Sequence, residues 1–434
     1  MDPHDASTEA APRMRSPERS QVDPHPKRID DLLPPDHKAR LVWQLVQELD
    51  LSPLYGQIKA VEGHAGRPAI DPQILVALWI YATDEGIASA RELARRCQDC
   101  DPYKWLLGGV EVNYHTLSDF RTAEPEWLKE QVVTHIAALR AEGLASLEVL
   151  GQDGMRVRAS AGNDSFKRQE TLQQLLQEAE QQWDHLQEAF EQETELPARQ
   201  QAAQERSARE RAQRLKQALE EVKQVAGARE KRKKGDGASA RASTTDPQAR
   251  RMKMGDSGTR PAYNVEFATD LNSLVIVGAD LINAGSDAGQ MEPMRRQIEA
   301  EQGPSPPGSE HYVDGGFATK EDLESMARRG ITVFAPPKEV EKQQQQGKDP
   351  YAAKRGDSPE VAQWRQRMGT AEAQEKYKQR GKCEWSNAQC RNRGLYQFLV
   401  RGLQKVKSVV LWYVLVHNLF RGVALRARLA QAAL

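Results

Sequence analysis

The chain has 434 residues, enough for two or three domains with at least one sizeable core. With 39% hydrophobic and 28% charged residues it is polar for a compact protein, which points to long solvated helices or tails. The net charge of −1 decides nothing about an acidic or basic partner, so the distribution of charge has to.

Residues 1–27 hold Pro, Asp, His and Ser without apolar period and without a signal-peptide core, so a disordered tail is expected. From 28 to 143 the pattern is helical. Leu41, Leu45 and Leu49 recur every four residues. Asp71-Pro72 and Ser89 stand where helix N-caps belong. A further short helix carries His115, Ser118, Asp119 and Arg121. Two readings stand open for this region: a helix-turn-helix-like DNA-binding arrangement presenting His115, Ser118 and Arg121, or an ordinary helical bundle. Cys97-Gln98-Asp99-Cys100 has zinc-like spacing, but no histidine lies near it or near Cys383 and Cys390, so reduced thiols are the better reading.

Leu147 to Gly154 reads as a strand ending at Asp153 and a Gly turn, with Met155–Arg158 able to pair back. Residues 166–239 form an insertion: a Gln/Glu/Ala/Leu/Arg/Lys-rich helical hairpin or coiled-coil arm, broken near Leu196-Pro197, then a basic link. Strands return at Tyr263–Asp270 and Leu274–Ile282. A helix follows from about Ala288 to Gln302, then a short strand, His311–Phe317, and a helix at Thr319–Arg329. Thr332–Ala335 is a last strand, 338–358 a polar loop, and helices fill the rest. Val409–Val416, the most apolar late stretch, is too short for a bilayer span, and a soluble cytoplasmic protein, at the nucleoid when bound to DNA, is expected. Without the insertion, 144–165 and 240–425 make a mixed α/β layer that opens with a hairpin and continues in βα units, leaving 426–434 as a tail.

Tyr377, Arg380, Glu384 and Arg391 are spaced three, four and seven residues apart, so a continuous α-helix would carry all four on one face. A carboxylate among cations suits a metal ion on a phosphate. Asp153 and Asp314, at strand ends, and Glu384, on a helix across them, can converge on one point. Carboxylates are the ligands of Mg²⁺ or Mn²⁺, and two such ions about 4 Å apart can cleave a phosphodiester. Asp246, Asp256, Asp270, Asp280 and Asp287 compete for the same roles. From Lys376 to the C-terminus there are twelve Lys or Arg and one acid, Glu384, the electrostatic footprint of a polyanion partner.

On these residues the chain resembles bacterial insertion-sequence transposases of the DDE type, in the branch with a Tyr-x2-Arg-x3-Glu-x6-Lys signature. Tyr377, Arg380 and Glu384 match it, and Arg391 stands in place of the Lys. Thr245-Asp246-Pro247, Tyr263-Asn264-Val265, Asp314-Gly315-Gly316-Phe317, Arg401-Gly402 and His417-Asn418-Leu419 are also similar, and Asp71–Arg121 resembles the N-terminal domain of such proteins. The resemblance implies an RNase H-like catalytic core with Asp153, Asp314 and Glu384 as a triad holding Mg²⁺ or Mn²⁺, two ions in all. It implies cleavage at the element's terminal inverted repeats and joining to target DNA, with Arg380 and Arg391 on phosphates and Tyr377 beside a base or the terminal phosphate. Two ends must be brought together, so a homodimer is expected. The alternatives are a transposase-derived DNA-binding protein without catalysis and a general nuclease on a similar core.

Overall fold

The computed structural model describes residues 28–59, 68–192 and 198–432. The expected N-terminal tail and the Leu196-Pro197 break lie outside the described residues. The first region is helical: α1 (Lys38–Gln47), α2 (Ser52–Tyr55), α3 (Pro72–Asp84), α4 (Ala90–Asp99), α5 (Asp101–Leu107), α6 (Tyr114–Ala123) and α7 (Pro125–Ala141). The caps are local chemistry. The Asp71 carboxylate accepts the Gln73 N–H at 2.8 Å, Ser89 Oγ accepts the Glu92 N–H at 3.3 Å, and Asn113 Oδ1 accepts the Thr116 N–H at 2.9 Å. Helix α3 is apolar nearly all round and accordingly lies at the centre of this region, buried from Ile74 to Thr83.

Strand β1 (Val149–Arg158) leads through β2 (Phe166–Lys167) into two long helices, α8 (Gln169–Gln192) and α9 (Ala198–Arg232). The chain returns through β3 (Ala242–Ser243), β4 (Arg250–Lys253), β5 (Thr259–Asp270) and β6 (Ile276–Ile282). Then come α10 (Met291–Gln302), β7 (Glu310–Tyr312), α11 (Lys320–Arg328), β8 (Thr332–Phe334), α12 (Val340–Gln345), α13 (Pro359–Met368), α14 (Ala371–Tyr377), α15 (Cys383–Asn392) and α16 (Leu403–Ala432).

The protein is a mixed α/β structure. Strands β6, β5 and β1 run antiparallel to their neighbours, and β7 and β8 continue beyond β1 in parallel. Strand β4 shares the far edge of β5 with β6. The α8–α9 hairpin is the expected arm. It has its own small core of Leu172, Ala179, Leu215, Ala218 and Val222, is closed at its base by the β2–β3 pair, and is tied to the sheet by an Arg250–Glu221 ion pair.

Two expectations about strands and one about a loop change. Asp153 does not end a strand and Gly154 is not a turn: β1 runs unbroken because β5 pairs with it from Leu150 to Arg158. Gly154 serves close approach instead, since a Cβ there would come within 2.7 Å of Asp287 Oδ1. Strand β7 stops at Tyr312, so Asp314 lies in the following loop, where its carboxylate accepts the Gly316 N–H at 3.0 Å. The polar stretch 338–358 contains the short helix α12.

The helical region shares a core with the sheet. One cluster of buried apolar side chains runs from Leu33 to Leu419, and α16 is its axis. Trp412 Nε1 donates to the Arg121 carbonyl at 3.0 Å, joining α16 to α6. Asn418 grips β6 by both backbone groups of Ile276: its Oδ1 accepts the N–H at 3.0 Å and its Nδ2 donates to the carbonyl at 2.8 Å. Helix α16 is long and apolar enough to cross a membrane, with mean hydropathy 1.5, but 72% of that stretch is buried inside the protein. Residues 426–432 continue this helix rather than forming a tail.

Candidate active site

Three of the short segments singled out in the sequence meet at one junction. Asp246, fully buried, accepts the Tyr263 hydroxyl at 2.8 Å and the Gly402 N–H at 3.2 Å. Gln248 Oε1 accepts the Leu403 N–H at 2.8 Å and so caps the start of α16. Asp246 is thus structural. So is Asp270, which binds the Ser146 N–H and the Ser273 hydroxyl.

The site itself forms on the β1 edge. The parallel β1–β7 ladder ends at Gly151 and Tyr312, and at Arg158 the same edge is taken up by residues 396–398 through a parallel bridge to Gln397. Between those two points a cleft of about 610 Å³ opens. Continued past its end, the β1–β7 register sets Asp153 level with Asp314, two residues beyond Gly151 and Tyr312 respectively. Both line the cleft.

Helix α15 brings the third acid. It crosses β1 at Gly151, where the absent Cβ makes room for Cys383 Sγ and for Leu271, which a Cβ would meet at 2.7 Å. Ser386 Oγ accepts the Thr269 hydroxyl at 3.2 Å beside it. Glu384 follows Cys383 and lies 65% exposed near Asp153. Arg380 bridges the two acids, with Nη2 2.9 Å from Asp153 Oδ1 and Nη1 2.9 Å from Glu384 Oε1. Asn387 Nδ2 donates to the other Asp153 oxygen at 2.9 Å. Burial pushes the Asp153 carboxyl above its ordinary range, and the Arg380 guanidinium opposes that shift.

The expected single helix face is modified. Residues 378–382 are wound as a 3₁₀ turn between α14 and α15. A 3₁₀ turn eclipses i and i+3, which takes Tyr377 out of the α-helical spacing with Glu384, while Arg380 still reaches Glu384 as an i, i+4 pair. Tyr377 is partly buried against a second core containing Val313 and Phe334, and burial pushes its phenol up to about 12. Arg391 is exposed and lines the cleft, with no ion pair among the described residues.

The N-terminal residues separate. His115 and Ser118 are exposed on α6, far along the chain from the cleft. Arg121, expected on a DNA-binding surface, is instead 4% exposed. Its guanidinium lies 4.4 Å from the centre of the Trp79 ring and bonds the Ala88 carbonyl. Helix α6 turns that side toward α3, so Arg121 fixes the helices together. Several tail cations are likewise used internally, Arg393 on Asp84 and Arg426 on Glu142.

Sequence reading missed Asn387, although it lies three residues after Glu384 and so falls on the same helix side. Arg156 and Arg158, signalled by the alternation after Gly154, and Arg260 and Tyr396 also line the cleft. Asp287, one of the competing acids, lines it too, and accepts from Asn264 Nδ2 next to the buried Glu266. Burial, and then the Asp287 charge, raise Glu266 to about 9. Among the described residues, no three His, Cys, Asp or Glu side chains are gathered closely enough to hold a metal ion.

No curated protein and no solved structure is found to match the chain. Residues 27–123 match the family model described as a transposase domain (DUF772), and residues 235–419 match that of the transposase DDE domain. The second match takes in Asp314 and Glu384 but begins after Asp153. A DUF772 transposase domain followed by a transposase DDE domain makes this chain a transposase, consistent with the insertion-sequence DDE group.

Proposed function

We propose that the chain binds the terminal inverted repeats of its insertion sequence and catalyses metal-dependent strand cleavage and strand transfer on an RNase H-like core. The carrying observation is that Asp153 and Asp314 line one cleft beyond the end of the β1–β7 ladder, with Arg380 bridging Asp153 to the Glu384 that α15 brings across β1. The strand sequence, an antiparallel meander of β1, β5 and β6 followed by parallel β7 and β8, supports the core assignment.

The donors suit Mg²⁺ or Mn²⁺ by chemistry. Three carboxylates are available, and Asn387 Oδ1 beside Asp153 is buried with no hydrogen-bond partner. Asp153, Asp314 and Glu384 would hold the ions once Arg380 releases the two acids it bridges. Bound there, the ions would activate a water or a 3′ hydroxyl and stabilise the leaving oxygen. The protein's own cations do the rest. Arg391, Arg158 and, once released from its ion pair with Asp256, Arg260 offer guanidiniums to phosphates along the cleft. Arg380, freed from the acids, adds a fourth near the scissile bond. The exposed α6 residues His115 and Ser118 are proposed contacts to the repeat DNA, and pairing of two ends calls for a homodimer on cellular DNA.

Asp153→Asn, Asp314→Asn and Glu384→Gln should each abolish Mg²⁺-dependent cutting of an element-end duplex and leave its gel-shift binding intact. Cutting retained in all three variants would sink the triad. Binding without cutting by the parent under Mg²⁺ and Mn²⁺ would favour a non-catalytic DNA-binding protein. Equal cutting of scrambled duplex would favour a general nuclease.

A further inference from the structure

Tyr396 is 56% exposed, more than any other Tyr, Trp or Phe among the described residues whose exposure is given. A single exposed aromatic needs no explanation by itself. This one differs in how it is held and in what surrounds it. The Arg158 N–H donates to the Tyr396 carbonyl at 3.1 Å, and the Phe398 N–H donates to the Arg158 carbonyl at 2.8 Å, so the segment is laced to the end of β1. Its neighbours Leu395 and Phe398 are each 1% exposed, and the Phe398 ring packs edge-on against Tyr263 at 6.0 Å. The backbone is therefore anchored on both sides of a ring turned outward. The ring stands at the rim of the cleft with Arg158 and Arg391, and with Arg156 and Arg260, whose guanidiniums bind the Lys253 and Gly285 carbonyls and the Asp256 carboxylate respectively, at the opposite end of the β1 gap from Asp314.

A rigid aromatic face among guanidiniums is the chemistry that holds single-stranded nucleic acid: cations track the backbone and the ring stacks on a base. Inside a duplex both faces of a base are covered by its neighbours, so such a ring finds a free face only where a nucleotide is unpaired or turned out. We propose that Tyr396 stacks on an unpaired base of the DNA substrate. That base sits at the arginine end of the cleft while the phosphate to be processed lies at the carboxylate end. The proposal rests on the reading of the cleft as a DNA site and adds to it which part of the strand the rim takes.

The test uses the full chain in EDTA, so that cutting plays no part. One probe is a duplex with a short single-stranded 3′ overhang carrying 2-aminopurine, and the other has the same overhang with abasic sites. The parent should bind the base-bearing probe roughly 5- to 100-fold more tightly than the abasic one, with quenching of the 2-aminopurine. Tyr396→Ala should lose the quenching and that preference while binding the abasic probe as the parent does, which also shows that it is folded. Tyr396→Phe should keep both. Equal losses on the two probes, or no loss on either, overturn the proposal. So does a change of oligomeric state in Tyr396→Ala with its base preference intact, which would assign the ring to a protein interface. A parent that binds neither probe overturns this proposal and the DNA reading of the cleft together, whereas a parent that binds with base preference but never cuts under Mg²⁺ overturns only the catalytic reading.

Discussion

Gly151→Ala tests how α15 is set against the sheet. A Cβ at Gly151 would overlap Cys383 Sγ and stand 2.7 Å from Leu271 Cδ2. Both neighbours are interior, at 2% and 1% exposure, so neither can swing into solvent. Reaching ordinary contact with the sulfur requires a shift of roughly 1.5 Å between α15 and β1, and overpacking of that kind costs about 1–3 kcal/mol. The same shift pulls Glu384 and Asn387 away from Asp153 and lengthens the 2.9 Å bonds through Arg380. A displacement of about 1 Å at a reacting site lowers turnover by roughly a hundredfold. Urea unfolding followed by tryptophan fluorescence should therefore show a loss of about 2–3 kcal/mol, with repeat-end cleavage down about a hundredfold and DNA binding nearly unchanged. Cys383→Ala removes the overlapping sulfur, so in the double variant about 1 kcal/mol of the loss should return as a coupling energy. Gly151→Ala within about 0.5 kcal/mol of the parent, or a double variant that is merely additive, would refute this account of why Gly151 stands there.

Arg391→Ala should weaken DNA binding across sequences and lower the slope of affinity against salt by about one ion, while Arg391→Lys keeps the slope; titrations at several salt concentrations check both. Glu266→Gln should grow more stable relative to the parent as pH rises from about 4.5 to about 9, then level off. The folded parent keeps its proton through that window while the unfolded chain loses it, so the parent's stability falls by up to about 1.4 kcal/mol per pH unit. An advantage that shrinks over that window in urea melts at stepped pH would contradict the burial argument. Asn418→Ala should destabilise by about 2–4 kcal/mol in urea melts, because it strands a buried N–H and a buried carbonyl of Ile276; a loss below about 1 kcal/mol would mean that water replaces it.

Much of the frame is readable along the chain because it depends on short-range chemistry. Asp71-Pro72 and Ser89 announce helix starts whose hydrogen bonds close within three residues. The composition of 166–232 announces solvated helices, and α8 and α9 pair as an arm. The spacing from Arg380 to Glu384 is likewise local, and the ion pair between them forms as an i, i+4 contact. The strand at Asp153 misleads for a reason equally physical. Asp-Gly is turn chemistry when a chain has only itself, and β5, more than a hundred residues later, supplies the ladder that keeps it straight.

What the sequence determined by itself is therefore most of the longer elements, the inserted arm, and a short list of acids and cations with the chemistry to act on a phosphodiester. Tertiary structure decided which of them share a place. Asp153 and Asp314 line one cleft because β7 pairs in parallel with β1 and the pairing stops two residues short of each acid. Arg121 is interior because α6 turns it onto Trp79, while Arg391 stays in the cleft. The gap on the β1 edge exists only because its two flanking partners come from segments more than 80 residues apart. Such positions depend on long-range pairing and on which face a helix buries, and neither is written in the spacing of a single segment.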